Sequence, residues 1–280
     1  MRLRGIRRSK NVEVRSGGRR GGRAGGMGVI GLLIVLAIGY FTGIDVSSLV
    51  QSGGVPQQQT QGAAVSDADD RATQFSAQVL ATTEDVWTKV FRDQLGRTYE
   101  PPRLVVFSGV TQSPCGGANG ATGPFYCPAD GQAYLDTSFF TMLSQQMGAA
   151  GDFAAAYVIA HEVAHHVQNQ LGILPKVDAA RRTAGKVEAN VLTVKLELMA
   201  DCLSGVWASN VQGLMEKGDL QEALNAARKI GDDYLQSQAG QVPQPHTFTH
   251  GTSEQRSRWF ARGYETGQVG QCDTFAAAQL

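Results

Sequence analysis

The stretch DFAAAYVIAHEVAHHVQNQL, residues 152–171, decides how this chain is read. Asp152 stands where a helix N-cap belongs and Gly172 follows the last turn, so the apolar run between them predicts one buried helix. Within it, His161-Glu162-Val163-Ala164-His165 forms an H-E-x-x-H pattern. Residues four apart stack on one helix face, about 5 to 6 Å from each other. Two imidazoles placed in this way can share one ion, and Zn²⁺ takes imidazole nitrogen at about 2.0 to 2.1 Å. Glu162, beside the first ligand, can reach a metal-bound water and is the candidate general base. The rival reading is a pair of structural histidines on a buried helix.

Catalytic zinc sites generally take three protein ligands and leave the fourth position to water, so a third ligand is needed. The extended H-E-x-x-H-x-x-G-x-x-H form is excluded, because Gln168 and Leu171 occupy the glycine and third-histidine positions. His166 points about 100° round the helix from His165, which predicts a surface residue or one that supports a ligand from behind. Glu197, 32 residues after His165 on the next long helical segment, is the better candidate. Asp201 lies one turn after Glu197 and can accept a hydrogen bond from a ligand imidazole, fixing its tautomer. Glu188 is a weaker rival without an acidic partner four residues on. A solvated helix face is the bland alternative for Glu197, but Leu196, Leu198, Met199 and Cys202 make that turn apolar.

Outward from these helices the chain reads as a mostly helical α+β domain with a small sheet over residues 67–280. Spacings of four among Phe75, Val79, Val86, Val90, Trp87, Phe91 and Leu95 predict one or two amphipathic helices over 68–95, stopped by Gly96. Leu104–Phe107 and Gln132–Asp136 read as strands. The Gly/Pro-rich stretch between them reads as a loop. Helices are expected over 139–147, from Val177 to about Asn210, from Asp219 to Ile230, and over 253–264. No internal repeat is present, which excludes solenoids and propellers.

The formal net charge of zero hides an asymmetry. Residues 1–26 carry nine Lys/Arg and one Glu, a balance of +8, and the remainder is −8. The basic segment lacks apolar periodicity and is expected to be disordered. Residues 27–44, MGVIGLLIVLAIGYFTGI, run 18 residues without a charge, long enough to cross a bilayer. Arginines before the segment place the N-terminus in the cytoplasm under the positive-inside rule, with the body outside. Residues 45–66 are polar and Gln/Gly-rich, a flexible linker. A lipid bilayer is thus an expected partner, and the overall charge does not suggest a nucleic-acid-binding domain. Cys115, Cys127, Cys202 and Cys272 all fall in the body, where an exported domain favours disulfides. The preferred pairing is Cys115 with Cys127 across the loop and Cys202 with Cys272.

Four stretches carry a resemblance to a known family: GPFYCPADGQAYLD at 123–136, HEVAHHVQ at 161–168, ELMADCLSGVWA at 197–208 and HTFTHGTSEQR at 246–256. With the basic start and the apolar segment, the chain resembles the bacterial putative neutral zinc metallopeptidase (YpfJ-like) family over nearly its whole length, and more broadly the gluzincins. The resemblance implies a zincin-like fold, zinc held by His161, His165 and Glu197, and hydrolysis of peptide bonds in a protein or peptide substrate.

His250 and Arg256, six residues apart before and within the last helix, are candidates for the second electrophile at a developing oxyanion. His246 is a rival for the histidine. The alternative for Arg256 is an ion pair with Asp201 or another acid, and for His250 a helix cap. Two other functions fit the same residues: a non-enzymatic, zinc-stabilised binding or chaperone module of the envelope, and an amidase acting on cell-wall peptides.

Overall fold

The computed structural model describes residues 1–16, 67–119 and 122–280; the expected membrane segment 27–44 and linker 45–66 lie outside them. From the amino end the elements are β1 (Val12–Ser16), α1 (Asp67–Val90), β2 (Arg103–Ser108), β3 (Val110–Ser113), β4 (Gly116–Asn119), β5 (Phe125–Cys127) and β6 (Gln132–Asp136). Then follow α2 (Ser138–Thr141), α3 (Asp152–Gln170), α4 (Ile173–Arg181), α5 (Lys186–Asn210), α6 (Asp219–Lys229), α7 (Asp232–Gln238) and α8 (Ser253–Thr266). Helices over a small sheet make the domain α+β, as the sequence predicts. Among the described residues no helix is long and apolar enough to cross a membrane.

Helix α3 is the centre of the core. Its side chains from Phe153 to Ala164 are all buried, because α1, α5 and α6 pack around it. That accounts for a helix apolar on every side, a composition a surface helix cannot carry. Helix α5 buries its second half, Leu196 to Ala208, between α3 and α8. The α5–α8 crossing is close enough to require glycine on both helices: a Cβ at Gly205 would lie 2.1 Å from the Phe260 carbonyl oxygen, and one at Gly263 1.8 Å from that of Cys202. Helix α8 begins with a capping box, in which Thr252 accepts from the Gln255 N–H and the Gln255 side chain accepts from the Thr252 N–H.

The main sheet has the order β1-β2-β6-β5, with β1, β2 and β6 parallel and β5 antiparallel at the edge beside α3. The 108–131 stretch, read as a loop, holds the β3–β4 hairpin and β5. Both expected disulfides are present, Cys115–Cys127 and Cys202–Cys272. The expected single helix from Val177 to Asn210 is two: α4 starts at Ile173 and ends at Arg181, and Gly185 opens α5.

The expected disorder of residues 1–26 does not hold for residues 1–16. Met1 and Leu3 are buried in the main core, and β1 pairs with β2 in register from Val12↔Leu104 to Ser16↔Ser108. Of the arginines that looked like a solvated tail, Arg7 has acidic partners on α1, Glu84 at 2.8 Å and Asp85 at 2.6 Å, while Arg2 donates to the Gly213 carbonyl and Arg8 to Gln74. The Met1 ammonium lies 2.8 Å from Asp152 and 3.1 Å from Glu216. The order comes from partners far along the chain, which composition cannot register. Residues 1–16 and 67–280 therefore share one core, whereas the expected topology set them on opposite sides of a bilayer.

Candidate active site

His161 and His165 project from one face of α3, with ring centroids 4.8 Å apart. Glu197 reaches them from α5, its Oε2 3.1 Å from His161 Nε2 and its Oε1 3.5 Å from His165 Nε2. Ligand atoms of the three residues all lie within 4.8 Å of one another, a group that could hold a metal ion. Ligands about 2.0 to 2.1 Å from a tetrahedral ion sit about 3.3 Å from each other. The observed Nε2–Oε separations bracket that edge, and two nitrogens with one carboxylate are a donor set zinc accepts, so the residues fit the metal. Glu188, the rival third ligand, lies exposed in the first turn of α5 and outside this group.

Each imidazole is held from behind. The Nδ1–H of His161 donates to Asp201 Oδ1 at 2.9 Å, which leaves Nε2 facing the cleft. His165 Nδ1 lies 2.9 Å from Gln168 Oε1, and Gln168 Nε2 donates to the Leu196 carbonyl at 2.7 Å, so the amide oxygen is turned to the imidazole. Sequence reasoning missed this role of Gln168, which entered only as a position lacking a ligand. Its signal is the i+3 spacing from His165 on a buried helix.

Asp201 is fully buried and accepts four hydrogen bonds, from His161, from the Tyr157 hydroxyl at 2.5 Å, and from Arg256 Nε and Nη2 at 2.9 and 3.0 Å. Burial pushes its carboxyl up, but Arg256 and His161 outweigh burial and hold it below the usual carboxylate range. Arg256 is 2% exposed and also donates to the Ile230 carbonyl. Its Nε and Nη2 both bond Asp201, the ion pair named as the alternative for this residue, and it also lines the cleft.

His250 is half exposed at the cleft wall, with its Nδ1 3.4 Å from Asp232 Oδ1. The turn that carries it is organised by Asp232, whose Oδ2 accepts from the N–H groups of Thr249, His250 and Gly251 at 2.7, 2.6 and 3.0 Å. His246 lies outside the cleft lining. His166, expected at the surface or behind a ligand, is buried and turned toward the sheet, with Nε2 donating to the Glu100 carbonyl at 2.7 Å. Its Nδ1 is then an acceptor for the hydroxyl of Tyr126 on β5, at 3.1 Å, and Asn169 Nδ2 donates to the same hydroxyl at 2.9 Å.

These residues open into a cleft of about 410 Å³, walled by Phe139, Tyr126, Leu174 and Leu196 on its apolar sides. Glu162 lines it and is buried, and burial raises its carboxyl above the ordinary value against the pull of His165 and His161. At His161 and Glu197 the charged partners outweigh burial. Burial pushes His161 down, but Asp201 and Glu197 together lift it to about 10. Burial likewise disfavours charge on Glu197, yet His165 and His161 hold its carboxyl well below the usual range.

The fold and the site define a class: a mostly helical α+β domain with H-E-x-x-H on one helix and a glutamate from a following helix. The family described as "Putative neutral zinc metallopeptidase" matches residues 1–275, and the chain belongs to that family. It is 47% identical to "Uncharacterized protein YpfJ" of Escherichia coli (strain K12), over 98% of this chain and 99% of that protein. "Uncharacterized protein Rv2575" of Mycobacterium tuberculosis (strain ATCC 25618 / H37Rv) is 43% identical over 65% of each chain. No solved structure matches.

Proposed function

We propose that this protein is a zinc-dependent peptidase with His161, His165 and Glu197 as ligands and Glu162 as general base. The observation that carries this reading is the convergence of three ligand atoms on one point, with both distal imidazole nitrogens already bonded to Asp201 and Gln168. Zinc, when bound, supplies an acidified water and polarises a substrate carbonyl. Glu162 takes the proton and returns it to the leaving amine, a task that suits a carboxyl raised above its ordinary value by burial. His250, on the cleft wall, is placed to meet developing negative charge, while Arg256 and Asp201 keep His161 oriented. The apolar walls favour an extended peptide over a small polar substrate. Residues 27–44, 18 uncharged residues, support attachment of the domain to a bilayer.

Glu162→Gln tests the assignment, since it removes the base and no ligand. Casein hydrolysis should disappear while stoichiometric zinc stays bound. Loss of the zinc would assign Glu162 to metal binding instead. Turnover of peptidoglycan fragments with casein untouched would replace the peptidase reading by an amidase.

A further inference from the structure

We propose that residues 1–16 and residues 67–280 lie on the same side of any membrane, so that the chain leaves the folded body at Ser16 and returns to it on the side it left. This replaces the expected topology, with a cytoplasmic N-terminus and an exported body. Three observations on described residues carry it.

Residues 1–16 complete the core rather than decorate it. β1 covers the outer edge of β2, with the Leu104 N–H donating to the Asn11 carbonyl at 2.8 Å and five residue pairs following in register. Without it β2, whose Leu104 to Phe107 are all at most 2% exposed, would become an open edge of a parallel sheet. Glu84 gives the second observation. It is 6% exposed, and its carboxylate accepts from Arg7, from Asn11 at 2.8 Å and from the Ser9 hydroxyl. A bilayer between residues 1–16 and α1 would strip a buried carboxylate of these donors, which is strongly unfavourable.

Third, both flanks of the intervening segment emerge at one end of the sheet. Ser16 ends β1 opposite Ser108, and Phe107 is opposite Asp136 on β6. With strands about 4.8 Å apart, Ser16 and Asp136 are about 10 Å from each other. Next to Asp136, the Thr137 hydroxyl donates to Asp69 in the first turn of α1 at 2.6 Å. The sequence of residues 45–66 is polar and offers no second apolar run for a return crossing. A single crossing between Ser16 and Asp67 would separate two parts that share this core.

The experiment labels single cysteines in the full chain in spheroplasts, using a membrane-impermeant maleimide before and after permeabilisation. The parent chain, whose four cysteines form the two disulfides, is labelled in parallel to set the background. Lys10→Cys and Val242→Cys report the two parts; both sites are exposed, Val242 at 82%, so neither change should disturb folding. The same accessibility at both sites, whether before or only after permeabilisation, is the expected result. Labelling of one site in intact spheroplasts and of the other only after permeabilisation would overturn the proposal. Neither result bears on zinc or peptidase activity, so the two readings stand or fall separately.

Discussion

At the residue scale the site is a chain of committed hydrogen bonds behind two imidazoles. Asp201 and Gln168 act only through the histidines they hold, and removing such partners typically weakens metal affinity about 10- to 100-fold. Gln168→Ala should therefore lower zinc affinity in that range, read by competition with a chromogenic chelator, with the fold intact by circular dichroism. Unchanged affinity would leave the Gln168–His165 contact without consequence for the metal. The protons matter as well. His161 faces acids with both nitrogens, Asp201 at 2.9 Å and Glu197 at 3.1 Å, so that without a metal it would be held as the imidazolium. Zinc must displace the Nε2 proton. With His161 lifted to about 10, zinc binding at pH 8 should release about one proton or more, read by calorimetry in buffers of different ionisation enthalpy. The sign for the zinc-free protein follows from the same shift. A histidine raised above its unfolded value of about 6.5 stabilises fully below that pH, and the contribution fades as pH rises through about 10.

At the element scale, what holds the site together is the seating of α8 on α5 and of β5 on α3. Gly263→Ala would press a Cβ into the Cys202 carbonyl and lever Arg256 away from Asp201, so it should destabilise by about 3 kcal/mol in urea unfolding. Gly213→Ala, with nothing within 4 Å, should be close to neutral. Tyr126→Phe loosens β5 from His166 and Asn169 without touching a ligand. If β5 guides the substrate, this variant should raise KM several-fold while kcat and zinc content change little. A fall in kcat alone would place Tyr126 in the chemistry. α1 was legible in sequence because its periodic apolar face exceeds three turns, α3 because a long apolar run lies between Asp152 and Gly172, and β2 and β6 because short apolar runs sit beside Pro and Gly. β5 has three residues, two of them aromatic, and α4 is continuous in composition with α5; neither carries a local signal strong enough to delimit it. The shared face of His161 and His165, and that of Glu197 and Asp201, were legible because the spacing of four on a helix alone sets each pair. The partners of Arg256 were offered as an alternative and the role of Gln168 was not seen, since both depend on how helices far apart in sequence cross.

At the scale of the whole molecule, residues 1–16 are the part that composition misread: Arg7 looks solvated until Glu84 and Asp85, on α1, are brought alongside. The same long-range assembly brings Glu197 from α5 to the two histidines of α3. The measurement that bears most directly on the site is zinc content and casein hydrolysis of the purified full chain, compared with Glu197→Ala and Glu188→Ala. One zinc per chain, activity abolished by chelator and restored by zinc, both properties lost in Glu197→Ala and both kept in Glu188→Ala are expected. Stoichiometric zinc with full activity in Glu197→Ala would contradict the proposed site.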